Sequence, residues 1–235
     1  MGQVGLEKIR LLEGLSPQKL QNLETQCRWH QFSAIGHFVE QSDEQSDVFF
    51  VVEGQVRLVS YTLAGREIIF SNVPAGEYFG ELSAIDGGGR ATGAVAVESC
   101  RLASVTPEVF RKLMADHPDI TQKVLVRLAG TIRSSDDRII DLCTLPAPQR
   151  VYAELMRMSE EDAVAPGTWV VRPMRTHAEI ANRANTTRET VTRSLSHLVA
   201  NGIVERMSKS LYIRDREQLA QLAGSGVDGG DKVNS

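Results

Sequence analysis

The sequence predicts an α+β fold in which an N-terminal β-roll is followed by one long helix and a C-terminal winged helix-turn-helix. Three observations lead to this prediction. Short apolar runs with a period of two residues, separated by glycines, fill residues 29–106. A helical apolar pattern then runs from 118 to 142. Two threonine-capped helices and a hairpin follow between residues 176 and 214.

The β-roll prediction rests on many short strands. A short helix is expected at 6–15, and Ser16-Pro17 supplies an N-cap and a first-turn proline for a second helix that ends near Cys27. Glycines at the breaks between the following runs favour a roll or barrel. Thr106-Pro107 is expected to cap another short helix at 108–115. The predicted strands cover residues 29–33, 37–39, 48–53, 55–61, 67–72, 93–97 and 100–106.

The pattern at 118–142 predicts a helix about 37 Å long, at about 1.5 Å per residue. Its stripe is formed by Ile120, Val124, Leu128, Ile132, Ser135, Ile139 and Leu142. Such a stripe packs either on its own β-roll or against the same helix of a second chain. We expect a homodimer through 118–142, because the stripe runs past the length of the roll. Leu145-Pro146 ends the helix and leaves a hinge at 142–146.

The C-terminal part predicts a helix at 149–160, a strand at 169–173, and helices at 177–184 and 187–200 joined by a turn at Asn185. Thr176 with Glu179, and Thr186 with Glu189, have the spacing of capping boxes. In the second of these helices Val191, Leu195, Leu198 and Val199 are expected to face inward. A hairpin follows at 203–207 and 211–214. The predicted domains are 1–116, 117–145 and 146–222, with a disordered tail at 223–235.

Charge is distributed unevenly. The net charge is −4, yet residues 169–214 hold eight Lys and Arg against three Glu, which favours a DNA-binding module on an acidic chain. Three well-separated cysteines indicate reduced, mostly buried thiols. With neither a visible signal peptide nor a membrane-length apolar run, we expect a cytoplasmic protein without a membrane partner.

Residues 79–92 have the composition of a cradle for an anion that carries a sugar. Gly80 and the run 87–89 let backbone N–H groups approach a ligand, and residues 81–85 can form one helical turn. Arg90 can then bind phosphate oxygens through paired hydrogen bonds, while Glu81 is suited to accept one from a sugar hydroxyl. The glycines alone are more often part of a surface turn than of a phosphate site.

The whole string is more specific than its glycines. Phe79-Gly80-Glu81-Leu82, a hydrophobic turn, and then Arg90-Ala91-Thr92 closely resemble the phosphate-binding cassette of cyclic-nucleotide-binding domains. The resemblance implies that Arg90 pairs with the cyclic phosphate and Glu81 holds the ribose 2′-hydroxyl. The ligand-binding residues expected in this cassette are Gly80, Glu81, Leu82, Ser83, Arg90, Ala91 and Thr92.

The start of the helix at 187–200 presents Arg188, Glu189 and Arg193. Such residues are usually solvated, but in a major groove Arg binds guanine and Glu accepts from cytosine. The string Arg-Glu-Thr-Val-Thr-Arg resembles the recognition helix of the cyclic-AMP receptor protein family. The resemblance implies double-stranded DNA with a palindromic, TGTGA-like site as a partner. The expected DNA-binding residues are Thr176 and Thr187 on phosphates, with Arg188, Glu189, Thr192 and Arg193 at the groove.

The resemblance favours cyclic AMP (cAMP) as the effector, because Ala91 stands where cyclic-GMP (cGMP) sites often carry Thr or Ser. At the two positions of the long helix where the family presents Thr and then Ser to the adenine, this sequence has Ser135 and Asp136. Asp136, an acceptor, suits the adenine amino group or the donors of guanine, so cGMP stays open. The expected mechanism is that ligand bridges the roll and the long helix and re-aims paired recognition helices. RNA polymerase is an expected partner, with 164–168 as its candidate contact.

The alternatives to this function are an enzyme, a redox or haem sensor, and a regulator that needs no effector. No nucleophile elbow is present, and the five histidines have no metal-ligand spacing with the cysteines, so neither an enzyme nor a metal site is expected. A redox sensor of this fold needs an N-terminal cysteine cluster, which is absent, and a haem sensor needs a ligand such as His30 or Cys100. A regulator that needs no effector is the remaining alternative.

Overall fold

A computed structural model describes residues 5–32, 36–39, 46–62, 65 and 67–224. The chain divides into two compact units, Met1–Ile132 and Arg133–Ser235. The division falls inside the long helix, so that helix contributes its first half to one unit and its second half to the other.

The first unit is a β-roll with helices on its outside. The short helix predicted at 6–15 is present as two separate 3-10 turns, Leu6–Lys8 and Arg10–Leu12. The helices are α1 (Pro17–Glu24), α2 (Glu81–Asp86), α3 (Pro107–Asp116) and the start of α4 (Pro118–Thr144). The strands are β1 (Arg28–Phe32), β2 (Gly36–Val39), β3 (Val48–Glu53), β4 (Gln55–Tyr61), β5 (Glu67–Pro74), β6 (Tyr78–Phe79), β7 (Gly93–Ala96) and β8 (Cys100–Val105).

Two antiparallel sheets form the roll, with strand orders β1-β8-β3-β6 and β2-β7-β4-β5. Strand β3 shows how the sequence builds two cores at once, because successive side chains point to opposite faces. Phe49 and Val51 pack between the sheets, whereas Val48, Phe50 and Val52 face the helices. The predicted strand bounds agree within two residues; Ser33, the predicted end of the first strand, lies outside the described residues.

Helix α4 divides the predicted stripe in two. Ile120 and Val124 are fully buried in the core of the first unit, and Leu128 packs against it. The prediction of one continuous dimer seam is therefore wrong for this half, since the β-roll already covers it. Further along, the stripe is exposed: Ile132, Ile139 and Leu142 are 62%, 58% and 47% accessible.

The second unit contains α5 (Ala147–Met158), β9 (Glu160–Glu161), β10 (Trp169–Val171), α6 (His177–Arg183), α7 (Arg188–Ala200), β11 (Val204–Met207), β12 (Ser210–Ile213) and α8 (Arg216–Leu222). The strands form one sheet in the order β11-β12-β10-β9. Its core is formed by apolar side chains of α5, α6, α7 and the hairpin, among them Leu155, Ile180, Val191 and Leu211. This is the winged helix-turn-helix that the sequence predicts.

Four local predictions here are wrong. The helix predicted at 149–160 ends at Met158, because Glu160 pairs with Val170 in β9. Val199 is 46% exposed, since it lies about 80° around α7 from Val191, at about 100° per residue. The capping box at Thr186 is absent: Thr187 has the extended N-cap conformation, and its hydroxyl accepts from Thr190 N.

The fourth concerns the tail. Ala223 is buried as the C-cap of α8, a helix that the sequence did not predict, so the tail begins later than residue 223. Residues 225–235, where the rest of the predicted tail falls, lie outside the described residues. The prediction of mostly buried cysteines fails at Cys143, which is exposed near the end of α4, whereas Cys100 is buried.

Within the described part of the chain, no helix combines the length and apolar character needed to cross a membrane. The same residues hold no cluster of three or more His, Cys, Asp or Glu side chains that could bind a metal ion.

Candidate nucleotide-binding and DNA-binding sites

The cassette begins at a glycine that no other residue could replace without displacing its neighbours. Strand β6 ends at Phe79, and Gly80 follows with a φ of 90°, the left-handed conformation that favours glycine. A Cβ atom at this position would lie 2.4 Å from Nη1 of Arg90 and 2.7 Å from the Asp47 carbonyl oxygen. The missing side chain therefore leaves room for the Arg90 guanidinium.

Helix α2 and the glycine loop after it are held by their own hydrogen bonds. Gly87 ends the helix in the left-handed conformation, with a φ of 73°. The Gly88 amide donates to Asp86 Oδ1 at 2.8 Å, and the Ser83 hydroxyl donates to the Gly89 carbonyl at 3.0 Å. The buried Ser83 hydroxyl thus has a partner within the loop and helps to hold the glycine run against α2.

Arg90 is a buried cation, with 7% of its surface accessible. Its Nη2 donates to the Asp47 carbonyl at 2.7 Å, and its Cζ lies 5.6 Å from the centre of the Phe49 ring. That ring stacks on Phe79 with 5.1 Å between centroids. Burying a guanidinium is costly unless hydrogen bonds or an anion compensate. The arrangement fixes the position of a positive charge in the cassette.

The other predicted ligand residues differ in their exposure to solvent. Glu81 is half-buried in the first turn of α2, while Leu82 and Ala91 are exposed and Thr92 is half-buried. Gly80 and Arg90 are in direct contact. Ser135 and Asp136 are exposed on α4, in the second unit.

Arg127 of α4 contacts the strand that leads into the cassette. Its Nη2 donates to the Tyr78 carbonyl at 2.6 Å, its Nη1 lies 3.4 Å from Glu77, and its Cζ lies 3.9 Å from the Tyr78 ring centre. Lys123, one turn earlier, donates to the Glu13 carbonyl at 2.7 Å. Sequence reasoning missed both residues, because a cation on a helix gives no signal of a partner many residues away.

The helix-turn-helix is shaped by two threonine caps and one left-handed residue. Thr176 and Glu179 form the predicted capping box of α6, and Asn185 has a φ of 47° in the turn. Helix α7 buries Val191, Ser194, Leu195 and Leu198. The predicted DNA-contacting residues Thr176, Thr187, Arg188, Glu189, Thr192 and Arg193 are all exposed. The structure thus presents these side chains to solvent.

A histidine that was not singled out as a DNA-site residue links the recognition helix to the wing. His177 Nδ1 lies 2.9 Å from Thr192 Oγ1, whose hydroxyl donates to the Arg188 carbonyl at 2.9 Å. Arg206 Nη2 lies 3.0 Å from His177 Nε2. Since arginine only donates, this geometry requires a neutral imidazole that donates from Nδ1. Partial burial and the Arg206 charge both lower the pKa of His177.

Not every basic residue of the second unit is available to DNA, because several are already paired with carboxylates. Arg172, Arg183 and Arg214 form ion pairs with Asp162, Glu154 and Glu205. Within the described part of the chain, Arg188 and Arg193 have no carboxylate within 4.0 Å and remain available to a ligand. The backbone amide of Glu189 and the Thr187 hydroxyl lower the pKa of Glu189, which keeps that side chain anionic.

Comparison with known proteins identifies the domain that contains each candidate site. A cyclic nucleotide-binding domain model matches residues 30–117, and a Crp-like helix-turn-helix domain model matches residues 149–222. A CRP-like cAMP-activated global transcriptional regulator of Mycobacterium tuberculosis is 28% identical over 220 residues, covering 93% of this chain and 98% of the relative. The chain belongs to the CRP/FNR family of transcription regulators.

Further relatives of the family span almost the whole chain. The cyclic AMP receptor protein of Thermus thermophilus is 28% identical over 213 residues, covering 91% of this chain and 96% of the relative. A solved CooA variant from Carboxydothermus hydrogenoformans matches with a TM-score of 0.76 at 19% identity, covering 95% of this chain and 97% of that one. At that identity the likeness supports the fold alone.

Membership of the CRP/FNR family makes the chain a transcription regulator with a cyclic-nucleotide-binding domain and a helix-turn-helix domain, not an enzyme. The two candidate haem ligands have other partners. His30 Nε2 lies 2.9 Å from Ser104 Oγ, and the buried Cys100 thiol donates to the carbonyls of Gln55 and Glu98. Both side chains contribute to the roll itself.

Proposed function

We propose that this protein is a homodimeric, sequence-specific DNA-binding regulator whose affinity for DNA is controlled by cAMP bound at the cassette. The observation that carries the proposal is the buried Arg90, held against Phe49 and the Asp47 carbonyl in the space that Gly80 leaves open. A fixed, largely desolvated guanidinium suits a cyclic phosphate, which has two exocyclic oxygens for it to bind. Glu81, in the first turn of α2, would accept a hydrogen bond from the ribose 2′-hydroxyl.

The choice of cAMP draws on two supports. Ala91 offers no hydroxyl at the position where cGMP sites often carry one, and the relatives from M. tuberculosis and T. thermophilus are named for cAMP. Ser135 and Asp136 are the proposed base-contacting residues. Asp136 is suited to the donors of guanine, so cGMP is the second candidate effector.

For DNA, Arg188, Glu189 and Arg193 are the proposed base readers, and Thr176 and Thr187 the phosphate contacts. The proposed target is a TGTGA-like palindrome, because a two-fold dimer presents two recognition helices to two half-sites. The dimer would form through the exposed apolar residues of α4: Leu125, Val126, Ile132, Ile139, Ile140 and Leu142. RNA polymerase is the expected partner at promoters, in a cytoplasmic setting.

The proposed mechanism is a population shift. An effector can change DNA affinity only by as much as it prefers the DNA-competent arrangement over the other. Arg90 and the base-contacting residues of α4 would supply that preference, and the paired recognition helices would be re-aimed as a result.

The experiment is a fluorescence anisotropy titration of a palindromic TGTGA-containing duplex at fixed salt, with no ligand, with cAMP and with cGMP. A scrambled duplex of equal length is the control, since salt and phosphate contacts alone give considerable affinity. The proposal expects cAMP to tighten binding to the palindrome at least about tenfold. Tighter DNA binding with cGMP but not with cAMP would show that cGMP is the effector. Strong palindrome binding that neither ligand changes would leave a regulator without this effector, and equal affinity for both duplexes would refute the specificity.

A further inference from the structure

The most deeply buried charge in the second unit is Glu154, on α5. Its side chain is 1% accessible, and sequence reasoning gave it no role. A buried carboxylate must be compensated by hydrogen-bonded cations, or it destabilises the fold. Three arginines from three different helices provide this compensation, and their positions suggest what the cluster does.

The arginines come from α4, α5 and α6. Arg138 of α4 lies 3.8 Å from Glu154 Oε1, Arg157 of α5 donates to Oε2 at 3.2 Å, and Arg183 of α6 donates to Oε1. Arg157 also donates to Asp141 of α4. The cluster therefore connects the last turns of the long helix with the first helix of the helix-turn-helix.

A second polar connection runs parallel to the first, one turn earlier on α5. The Arg150 guanidinium donates to three carbonyls: Leu145 at 2.8 Å, Ala184 at 2.9 Å and Asn185 at 2.9 Å. Leu145 lies at the break between α4 and α5, and the other two carbonyls belong to the turn between α6 and α7. Arg150 thus connects the predicted hinge directly to the turn before the recognition helix.

We propose that Glu154 is a positioning residue for DNA binding, which joins the end of α4, α5 and α6 into one rigid body so that the long helix fixes the aim of the recognition helix. An apolar contact would tolerate sliding, whereas a carboxylate that accepts hydrogen bonds from Arg157 and Arg183 and pairs with Arg138 at 3.8 Å restricts how the three helices can move. In this account the segment 142–146 is not a free hinge. The part of this proposal that concerns DNA binding rests on the proposed function.

The test uses full-length variants that differ in one connection. Arg138→Gln removes the ion pair between α4 and Glu154 and leaves Glu154 paired with Arg157 and Arg183. The other contact of α4, between Asp141 and Arg157, stays in place in this variant. Arg133→Gln, at an exposed position of the same helix, is the matched control, since both lose one positive charge. Arg138→Lys keeps the charge and should restore part of the function. Glu154→Gln removes the negative charge and replaces one of the two acceptor oxygens by an NH2 donor, so it should lower DNA affinity at least as much as Arg138→Gln.

Two readouts separate the outcomes. We expect Arg138→Gln to lower the affinity for the palindromic duplex with cAMP present about tenfold, since a loosened junction reduces the competent population. Amide exchange at residues 138–145 should also quicken without DNA. Arg133→Gln should change DNA affinity less than about twofold. Faster amide exchange in Arg138→Gln with unchanged DNA affinity would overturn the positioning role. Equal DNA affinities of Arg138→Gln and Arg133→Gln would overturn it as well. If the wild type binds no DNA, the proposed function fails, and the exchange experiment still tests the rigid junction.

Discussion

At the scale of a single residue, Arg90 is the centre of the proposed effector site, and its position depends on the absence of a side chain at Gly80. We expect Arg90→Leu to weaken cAMP binding by about 3 kcal/mol, or about a hundredfold, since it removes two charge-assisted hydrogen bonds to the phosphate. Gly80→Ala should also weaken binding, because its Cβ would meet Nη1 of Arg90 at 2.4 Å. Calorimetric titration with cAMP measures both, with thermal unfolding as the control for folding. Retained affinity in Arg90→Leu would remove the cassette from the account.

Glu189 is the residue proposed to distinguish one base pair. Glu189→Ala should relax the preference at one position of each half-site by about ten- to a hundredfold, because the carboxylate no longer selects cytosine N4. Competition with duplexes that vary one base pair at a time measures this. The side chain is exposed, so unfolding temperature should stay unchanged. An unaltered preference at every position would exclude Glu189 from the reading set.

His177 predicts a pH dependence whose sign follows from its hydrogen bonds. The folded protein needs the neutral imidazole, and the pKa of His177 is lowered by burial and by Arg206. The stability it contributes is therefore fully present above the ordinary histidine pKa of 6.5 and is lost as the pH falls below it. Denaturant unfolding between about pH 7.5 and 5.5 should show a larger loss in the wild type than in His177→Asn, by less than about 1 kcal/mol because the site is half-exposed. Equal losses would contradict the assigned tautomer.

At the scale of elements, α4 offers a native probe of dimerisation. Cys143 is exposed and lies on the same side of the helix as Leu125 and Ile132, 18 and 11 residues earlier. If two α4 helices pair in parallel, the two Cys143 thiols come close enough to join. Mild oxidation should then yield a covalent dimer on a non-reducing gel, and Cys143→Ser should abolish it. Cys27 is a poor competitor, since burial and Glu24 raise its pKa to about 12. A monomer at micromolar concentration in sedimentation experiments would contradict the seam.

The elements also show which features the sequence can predict and why it cannot predict the others. Caps and strand alternation are local signals, so Ser16, Thr106 and the Thr176–Glu179 pair were assigned correctly. The burial of Ile120 was assigned to a partner chain because a stripe does not say which surface covers it. Thr186 and Thr187 offer nearly equal caps, and only the backbone conformation of the turn decides between them.

The polar connections were beyond sequence reasoning for a related reason. A glutamate on a helix is usually exposed, so nothing in the residues near Glu154 indicates that three arginines, up to 29 residues away, will surround it. The same holds for Arg127 and the Tyr78 carbonyl. The candidate cassette could be proposed from the sequence because its residues form one contiguous string. The residues that hold it in place, such as Arg127, come from distant parts of the chain.

At the scale of the whole molecule, the proposed regulation is a coupling free energy between the nucleotide site and the DNA site. Such coupling is reciprocal: if cAMP tightens DNA binding by some factor, DNA must tighten cAMP binding by the same factor. A protein whose two domains bind their ligands independently would satisfy every site-level prediction above and still lack regulation.

The most direct measurement is therefore the affinity for cAMP, by isothermal titration calorimetry at fixed salt, in the absence and in the presence of saturating palindromic duplex. The account predicts that the duplex tightens cAMP binding at least about tenfold, matching the effect of cAMP on DNA affinity. A scrambled duplex should have no such effect. Identical cAMP affinities with and without the palindrome would contradict the central claim, because the two sites would then be uncoupled.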